Sequence, residues 1–229
     1  MAYLKTILVL VVALTVVRHS AGAQQPSAEE VVSQCAAAMG VGIDVDDVKA
    51  LRIQYFLPDH GAPVWYDFGR PSLLKHENLA YDGKRGAFRT EDGWKLDDPE
   101  VWAHYEIDVA FFLPAFFDYP ATYEGVDTIV GIRSHRLGVS LPGGSQVTYY
   151  IDSETYLIVK VVSDATVHGE SQHMERLFTN YEESDGLLFP RAFTYPGRRS
   201  GILTGTVLDV VVNPPLEPGH FDLPPEVGG

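Results

Sequence analysis

The chain has 229 residues, with 17 Lys and Arg against 31 Asp and Glu and a single Cys. A formal charge of −14 repels phosphate backbones and anionic bilayer surfaces, which argues against nucleic acid and against electrostatic docking to a membrane. One Cys rules out an internal disulfide, and a chain of this length buries a single core without covalent staples.

The N-terminus carries Lys5, an apolar run over 7–17 and Ala21-Gly22-Ala23 before Gln24. This pattern predicts a secretory leader over 1–23, cut after Ala23, because the run is too short to span a bilayer and a small-residue site follows it. Removing Lys5 and Arg18 leaves 15 basic against 31 acidic residues, a charge of −16 on the exported chain. The remainder, 24–229, reads as one domain, soluble in the periplasm or secreted.

Ser27-Ala28-Glu29-Glu30 is a capping box and predicts a helix over 28–39, closed at Gly40 by a left-handed cap. Val31, Val32, Cys35 and Met39 share one face of it, so Cys35 reads as a small core hydrophobe. From Lys49 the period changes to two. Leu51, Ile53 and Tyr55 alternate with Arg52 and Gln54, and Pro58-Asp59-His60-Gly61 turns the chain into a strand over 64–68. Strands over 73–81 and 85–90 flank Asp82-Gly83, a dipeptide suited to the positive φ of a tight turn.

Asp98-Pro99 predicts an N-cap followed by proline in the first turn. Val101, Trp102, Tyr105, Val109, Phe112, Leu113 and Phe116 then recur at three- and four-residue spacing. They predict an amphipathic helix over 99–117 with an aromatic face and a break at Pro114. Further strands are expected over 121–141, punctuated at Gly125-Val126-Asp127 and Ser134-His135, before Leu141-Pro142-Gly143-Gly144 turns the chain again. From 149 to 224 short β-branched and aromatic segments follow, turned at Asp152-Ser153-Glu154-Thr155 and Asp185-Gly186 and stopped by Pro214 and Pro215. The tail over 224–229 has the composition of a frayed linker.

Catalytic constellations are weak throughout. Gly197-Arg198-Arg199-Ser200-Gly201 lacks the spacing of a hydrolase nucleophile elbow, which leaves Ser200 as a loop residue. His168 and His173, with Glu170 or Glu175, make a conceivable metal pair, but His168-Gly169-Glu170 reads better as a turn, so no metal and no cofactor is expected. Glu91, Asp92, Asp97, Asp98 and Glu100 suit a charged loop entering a helix N-terminus better than a glycosidase pair. Arg191, Arg198 and Arg199 form the one basic concentration, read equally well as an anion site or as a solvated hairpin end.

Asp152-x-Glu154-Thr155-Tyr156-Leu157, then Tyr181 with Asp185-Gly186 and Phe189-Pro190, then Asn213-Pro214-Pro215 with Phe221 and Pro224, resemble the LolA-like superfamily of periplasmic lipoprotein carriers and outer-membrane lipoprotein-sorting proteins. Tyr81-Asp82-Gly83-Lys84-Arg85-Gly86 and the helix over 28–40 extend that likeness over most of 24–229. It implies a mainly β (α+β) fold: a curved antiparallel sheet or half-open β-barrel of about ten strands, lidded by helices, whose apolar inner face takes acyl chains without catalysis. The chain is then expected to be a monomeric, non-enzymatic binder or carrier of a hydrophobic small molecule, a lipid or a lipoprotein acyl chain. The alternative is a periplasmic sensor on the same fold that signals to an envelope protein partner, with an envelope lipid- or glycan-acting enzyme a distant third.

Periodicity supplies the candidate ligand residues. Trp94, Trp102, Tyr105, Val109, Phe112 and Phe116 are assigned to the lid. Leu51, Ile53, Tyr55, Phe189, Phe193 and Tyr195 are assigned to the inner face of the sheet.

Overall fold

The computed structural model of the protein describes residues 25–197 and 201–228. The leader over 1–23, Gln24, and the Arg198, Arg199 and Ser200 of the basic loop lie outside the described residues.

Every strand among the described residues joins one antiparallel sheet of thirteen strands, three more than the sequence suggests. The first meander comprises β1 (Ala50–Phe56), β2 (Pro63–Gly69), β3 (Leu73–His76), β4 (Leu79–Tyr81), β5 (Gly86–Thr90) and β6 (Gly93–Leu96). The second comprises β7 (Ala121–Ile129), β8 (Ile132–Ser140), β9 (Gln146–Asp152), β10 (Ile158–Val167), β11 (Glu170–Ser184), β12 (Leu187–Pro196) and β13 (Ile202–Val212). β1 pairs with β13, so the meanders fuse in the middle and leave β6 and β7 as the two free edges. A sheet this wide curls under its own right-handed twist, and here it stays open, a half-barrel.

The two free edges are consecutive in sequence. The segment joining them must pass from one lip of the curl to the other, and it carries α2 (Trp102–Phe112) across the concave face. Topology thus makes α2 the lid. The other helix, α1 (Ala28–Met39), packs near β12 and β7 and buries Val31, Cys35 and Met39. Burial pushes the Cys35 thiol up and keeps it a core hydrophobe.

Turn chemistry explains most strand ends. Asp185 (φ 49°) and Gly186 (φ 82°) both occupy the left-handed region that a two-residue hairpin turn requires. Asn213 Oδ1 accepts from the backbone N–H groups of Lys49 (2.7 Å) and Ala50 (3.3 Å), and its Nδ2 donates to the Asp47 carbonyl (2.9 Å), fastening the last strand to the start of the first.

Several expectations are corrected. The strand expected over 73–81 is two, because Glu77 and Asn78 form an exposed turn between β3 and β4. Ser134 and His135 are not punctuation but buried residues inside β8, and Gly125 sits at a bulge within β7. Gly40 is not left-handed (φ −86°), and glycine is required there because a Cβ would stand 2.3 Å from the Ile43 carbonyl oxygen. The tail is not frayed: His220 Nε2 meets Asp67 at 2.8 Å, Phe221 lies against Gly69, and a 3₁₀ turn at Pro225–Gly228 packs beside β6 on the convex face.

Candidate functional site

The helix expected over 99–117 is present in three pieces. Asp98 caps a 3₁₀ turn at Pro99–Val101, α2 follows, and after Leu113-Pro114 the chain makes a second 3₁₀ turn at Ala115–Phe117. The break falls at Pro114 because proline cannot continue the ladder. Amphipathicity is corrected, since Tyr105, Glu106, Ile107, Val109, Ala110, Phe111 and Phe112 are all buried, around nearly the whole circumference. A helix that crosses the inside of a curled sheet meets protein on most sides, and apolar residues surround it except at His104, Glu106 and Asp108.

Eleven of the twelve candidate ligand residues meet in one cluster. Leu51, Ile53, Tyr105, Val109, Phe112, Phe116, Phe189, Phe193 and Tyr195 are buried in it, and Tyr55 and Trp102 pack half-buried against it. Phe112 is the hub. Its ring lies 5.2 Å from Phe68, 5.4 Å edge-on from Phe193, 5.8 Å from Tyr55 and 6.2 Å from Phe189. Such contacts bind the helix face to the sheet beyond area burial alone.

Trp94 is the exception. It pairs with Arg89 in the β5–β6 hairpin on the convex face, and the Lys75 ammonium lies 5.4 Å from its ring centre. Trp94 is expected on the lid, but the strand pattern continues through Gly93–Leu96, so the residue belongs to the sheet.

Three polar fastenings hold the lid. The buried Glu106 carboxylate accepts from Tyr81 OH in β4 (3.1 Å) and from the Gly143 N–H in the β8–β9 turn (2.9 Å), reaching both halves of the barrel. Burial holds this carboxyl above the usual carboxylate range, with the Gly143 N–H and Tyr81 hydroxyl pulling it partly back. Tyr149, fully buried in β9, donates to the Ala110 carbonyl (2.9 Å) and accepts from the Ala115 N–H (2.8 Å), satisfying groups that the broken helix leaves open. Arg70 donates to the Phe117 carbonyl (2.9 Å), to the Asp118 carboxylate (2.9 Å) and to the Val45 carbonyl (3.1 Å).

Arg176 of β11 also faces the lid. Its guanidinium lies 4.1 Å from the Phe111 ring centre and 5.4 Å from that of Phe193, and it pairs with Asp108 at 3.1 Å. Pattern reading passes over such a residue because a charge in an alternating strand is assigned outward, and its partner lies 68 positions away. Tyr66 and Phe68 were also missed, although their alternation with Trp65 and Asp67 was legible.

Beneath the lid the space is filled. Two voids of about 10 Å³ each flank the stretch from Phe112 to Pro114, one bounded by Met39, Leu51 and Leu187, the other by Phe178, Tyr181 and Phe189. Each is about the size of one water molecule. An acyl chain fits only where Phe112 and its neighbours move aside.

The other candidate groups lie elsewhere. His173 is engaged by Asp164 (2.7 Å) and Glu175 (3.4 Å), whereas His168 lies beside Glu100 at 3.7 Å, so the two histidines do not form a pair. His168 and Gly169 do form the expected turn. Asp98, Glu100 and His168 converge at the surface, their ligand atoms within 4.8 Å of one another. Asp97 accepts from Tyr105 OH (2.6 Å) and Asp98 caps the Glu100 N–H (3.0 Å), roles at a helix entrance. Arg191 pairs with Glu182 at 3.4 Å. No helix among the described residues is long and apolar enough to cross a membrane.

No protein-family model matches the chain, and no curated protein matches its sequence. Among solved structures the fold is similar to a LolA superfamily protein from Nitrosomonas europaea, with a TM-score of 0.54, 10% identity and coverage of 87% of this chain and 99% of that one. It is also similar to a DUF1329 family protein from Desulfovibrio piger, with a TM-score of 0.51, 12% identity and coverage of 86% and 98%. At such identities the likeness is one of fold, and the fold is LolA-like: an open, curled antiparallel sheet with a helical lid.

Proposed function

We infer that the protein is an exported, non-catalytic binder of a lipid or acyl chain, which it takes into the half-barrel in the space that Phe112 and its ring of aromatics occupy in the closed form. One observation carries the reading: the concave face is apolar and aromatic from Leu51 to Tyr195, and the element sealing it is a short helix fastened at a few polar points. Each methylene transferred from water to that surface contributes about 0.8 kcal/mol, so a single chain suffices for useful affinity. The LolA-like fold supports the same reading by analogy. Three polar groups on the concave side, Glu106, Tyr149 and Arg176, are each held by structural partners, which fits binding better than chemistry.

The test is native mass spectrometry of protein recovered from an envelope fraction, followed by titration of delipidated protein with a fluorescent fatty acid. Expected are acyl adducts removable by organic extraction and saturable uptake of one probe per chain. Protein recovered empty that takes up no probe contradicts the reading.

A further inference from the structure

Arg176 sits on the sheet, whereas its counter-ion sits on the lid. The guanidinium lies 4.1 Å from the ring centre of Phe111, 5.7 Å from that of Phe112 and 5.4 Å from that of Phe193. Its Nη2 donates to Asp108 Oδ1 at 3.1 Å, and no other hydrogen bond leads from this side chain to a described residue. The stacked rings of Tyr55 and Tyr66, with centres 5.3 Å apart, complete the surroundings. Their hydroxyls hydrogen-bond to each other within the field of Arg176 and Asp108, which leaves one hydroxyl proton for an incoming oxygen.

Asp108 and Phe112 lie one helical turn apart on α2, so the carboxylate on Arg176 and the ring that plugs the half-barrel belong to one rigid piece. An acidic group joined to an apolar body is also the plan of an anionic amphiphile. The closed lid thus marks both positions that such a molecule needs: Asp108 marks the head and Phe112 the chain.

Displacing the lid separates the two charges unequally. The Asp108 side chain is 45% exposed and already reaches water, whereas that of Arg176 is 17% exposed and anchored in β11. Movement of α2 carries the carboxylate away and leaves a cation among aromatic rings, a costly arrangement unless a new anion arrives. An occupant with an acidic head supplies that anion; an ester or an alcohol does not.

We propose that the half-barrel selects lipids with an acidic head, a carboxylate or a phosphate, which replaces the Asp108 carboxylate on Arg176 while the acyl chain replaces the Phe112 ring. This inference rests on the lipid reading of the same space and narrows its ligand to an anionic class.

Equilibrium binding of radiolabelled oleate, oleoyl lysophosphatidate, methyl oleate and oleyl alcohol to the delipidated protein tests it. Oleate or lysophosphatidate is expected to bind at least about tenfold more tightly than the ester and the alcohol, since a hydrogen-bonded charge pair is made only by the acids. The tighter of the two acids names the head. In Arg176→Met protein, confirmed as folded by circular dichroism, the preference for the acid is expected to fall to about twofold or less, while Arg176→Lys, which keeps the charge, retains part of it. The wild-type comparison decides the claim even where Arg176→Met does not fold. Equal binding of acids and neutral lipids, or an undiminished preference in folded Arg176→Met protein, overturns the proposal and leaves the lipid reading standing. Failure of all four lipids to bind overturns both.

Discussion

Glu106 is a carboxylate set among apolar residues on the inner side of the lid, and its two hydrogen bonds are to groups from the two halves of the barrel. Its folded-state pKa is raised by burial. The sign follows: its favourable contribution is full below the ordinary carboxylate value and declines as pH rises through the raised one. Gln at this position keeps an acceptor for the Gly143 N–H and a donor for Tyr81 while removing the buried charge. Glu106→Gln is therefore expected to raise Tm, and its advantage over the wild type should widen between about pH 4 and pH 8. Glu106→Ala strands both partners and should cost about 1–3 kcal/mol below the ordinary carboxylate value, a cost that shrinks as pH rises through the raised one. Thermal melts of the three proteins across that range decide it; an advantage that does not change with pH contradicts the assignment. None of this was legible in the sequence, where Glu106 lies between apolar positions and its partners lie 25 and 37 residues away.

At the scale of the element, α2 shows where periodicity informs and where it stops. The three- and four-residue spacing of Trp102, Tyr105, Val109 and Phe112 predicts the helix, and Pro114 predicts its end. The surroundings were not legible, because they are set by the pairing of β1 with β13, which leaves β6 and β7 as the lips that α2 must cross between. Close seating of the lid depends on Gly86 in β5, where a Cβ would stand 2.3 Å from Tyr105 Cε2 and 3.0 Å from Trp102 Cδ1. Gly86→Ala is expected to push the first turn of α2 off the sheet at a cost of about 1–3 kcal/mol, as overpacking does. Hydrogen exchange should then quicken over 102–106 while β9 keeps its protection. Unchanged exchange in α2 would mean that the rings adjust without moving the helix.

At the scale of the whole molecule, the turn residues were the most readable part. Asp82-Gly83, the turn beginning at Asp152, Asp185-Gly186 and the prolines after Asn213 mark strand ends that the structure keeps, and with them the LolA-like fold was within reach. Strand number was underestimated where the turn residues were ordinary, as at Glu77 and Asn78. Trp94, expected on the lid, lies in β6, a four-residue strand too short to show a period of its own. Whether the half-barrel is open or filled depends on how large aromatics interlock, and composition does not specify that; here Phe112 fills it. A filled barrel that binds a lipid must exchange its own aromatic plug for the ligand, which ties binding to movement of α2. Hydrogen exchange of the full-length protein with and without oleate tests this most directly. Changed protection in α2 and in the strands packed against it, among them β2, β3, β5 and β10, with the outlying β7–β8 hairpin over 126–133 unaltered, is the predicted result. Oleate that leaves the exchange of α2 untouched would contradict the account.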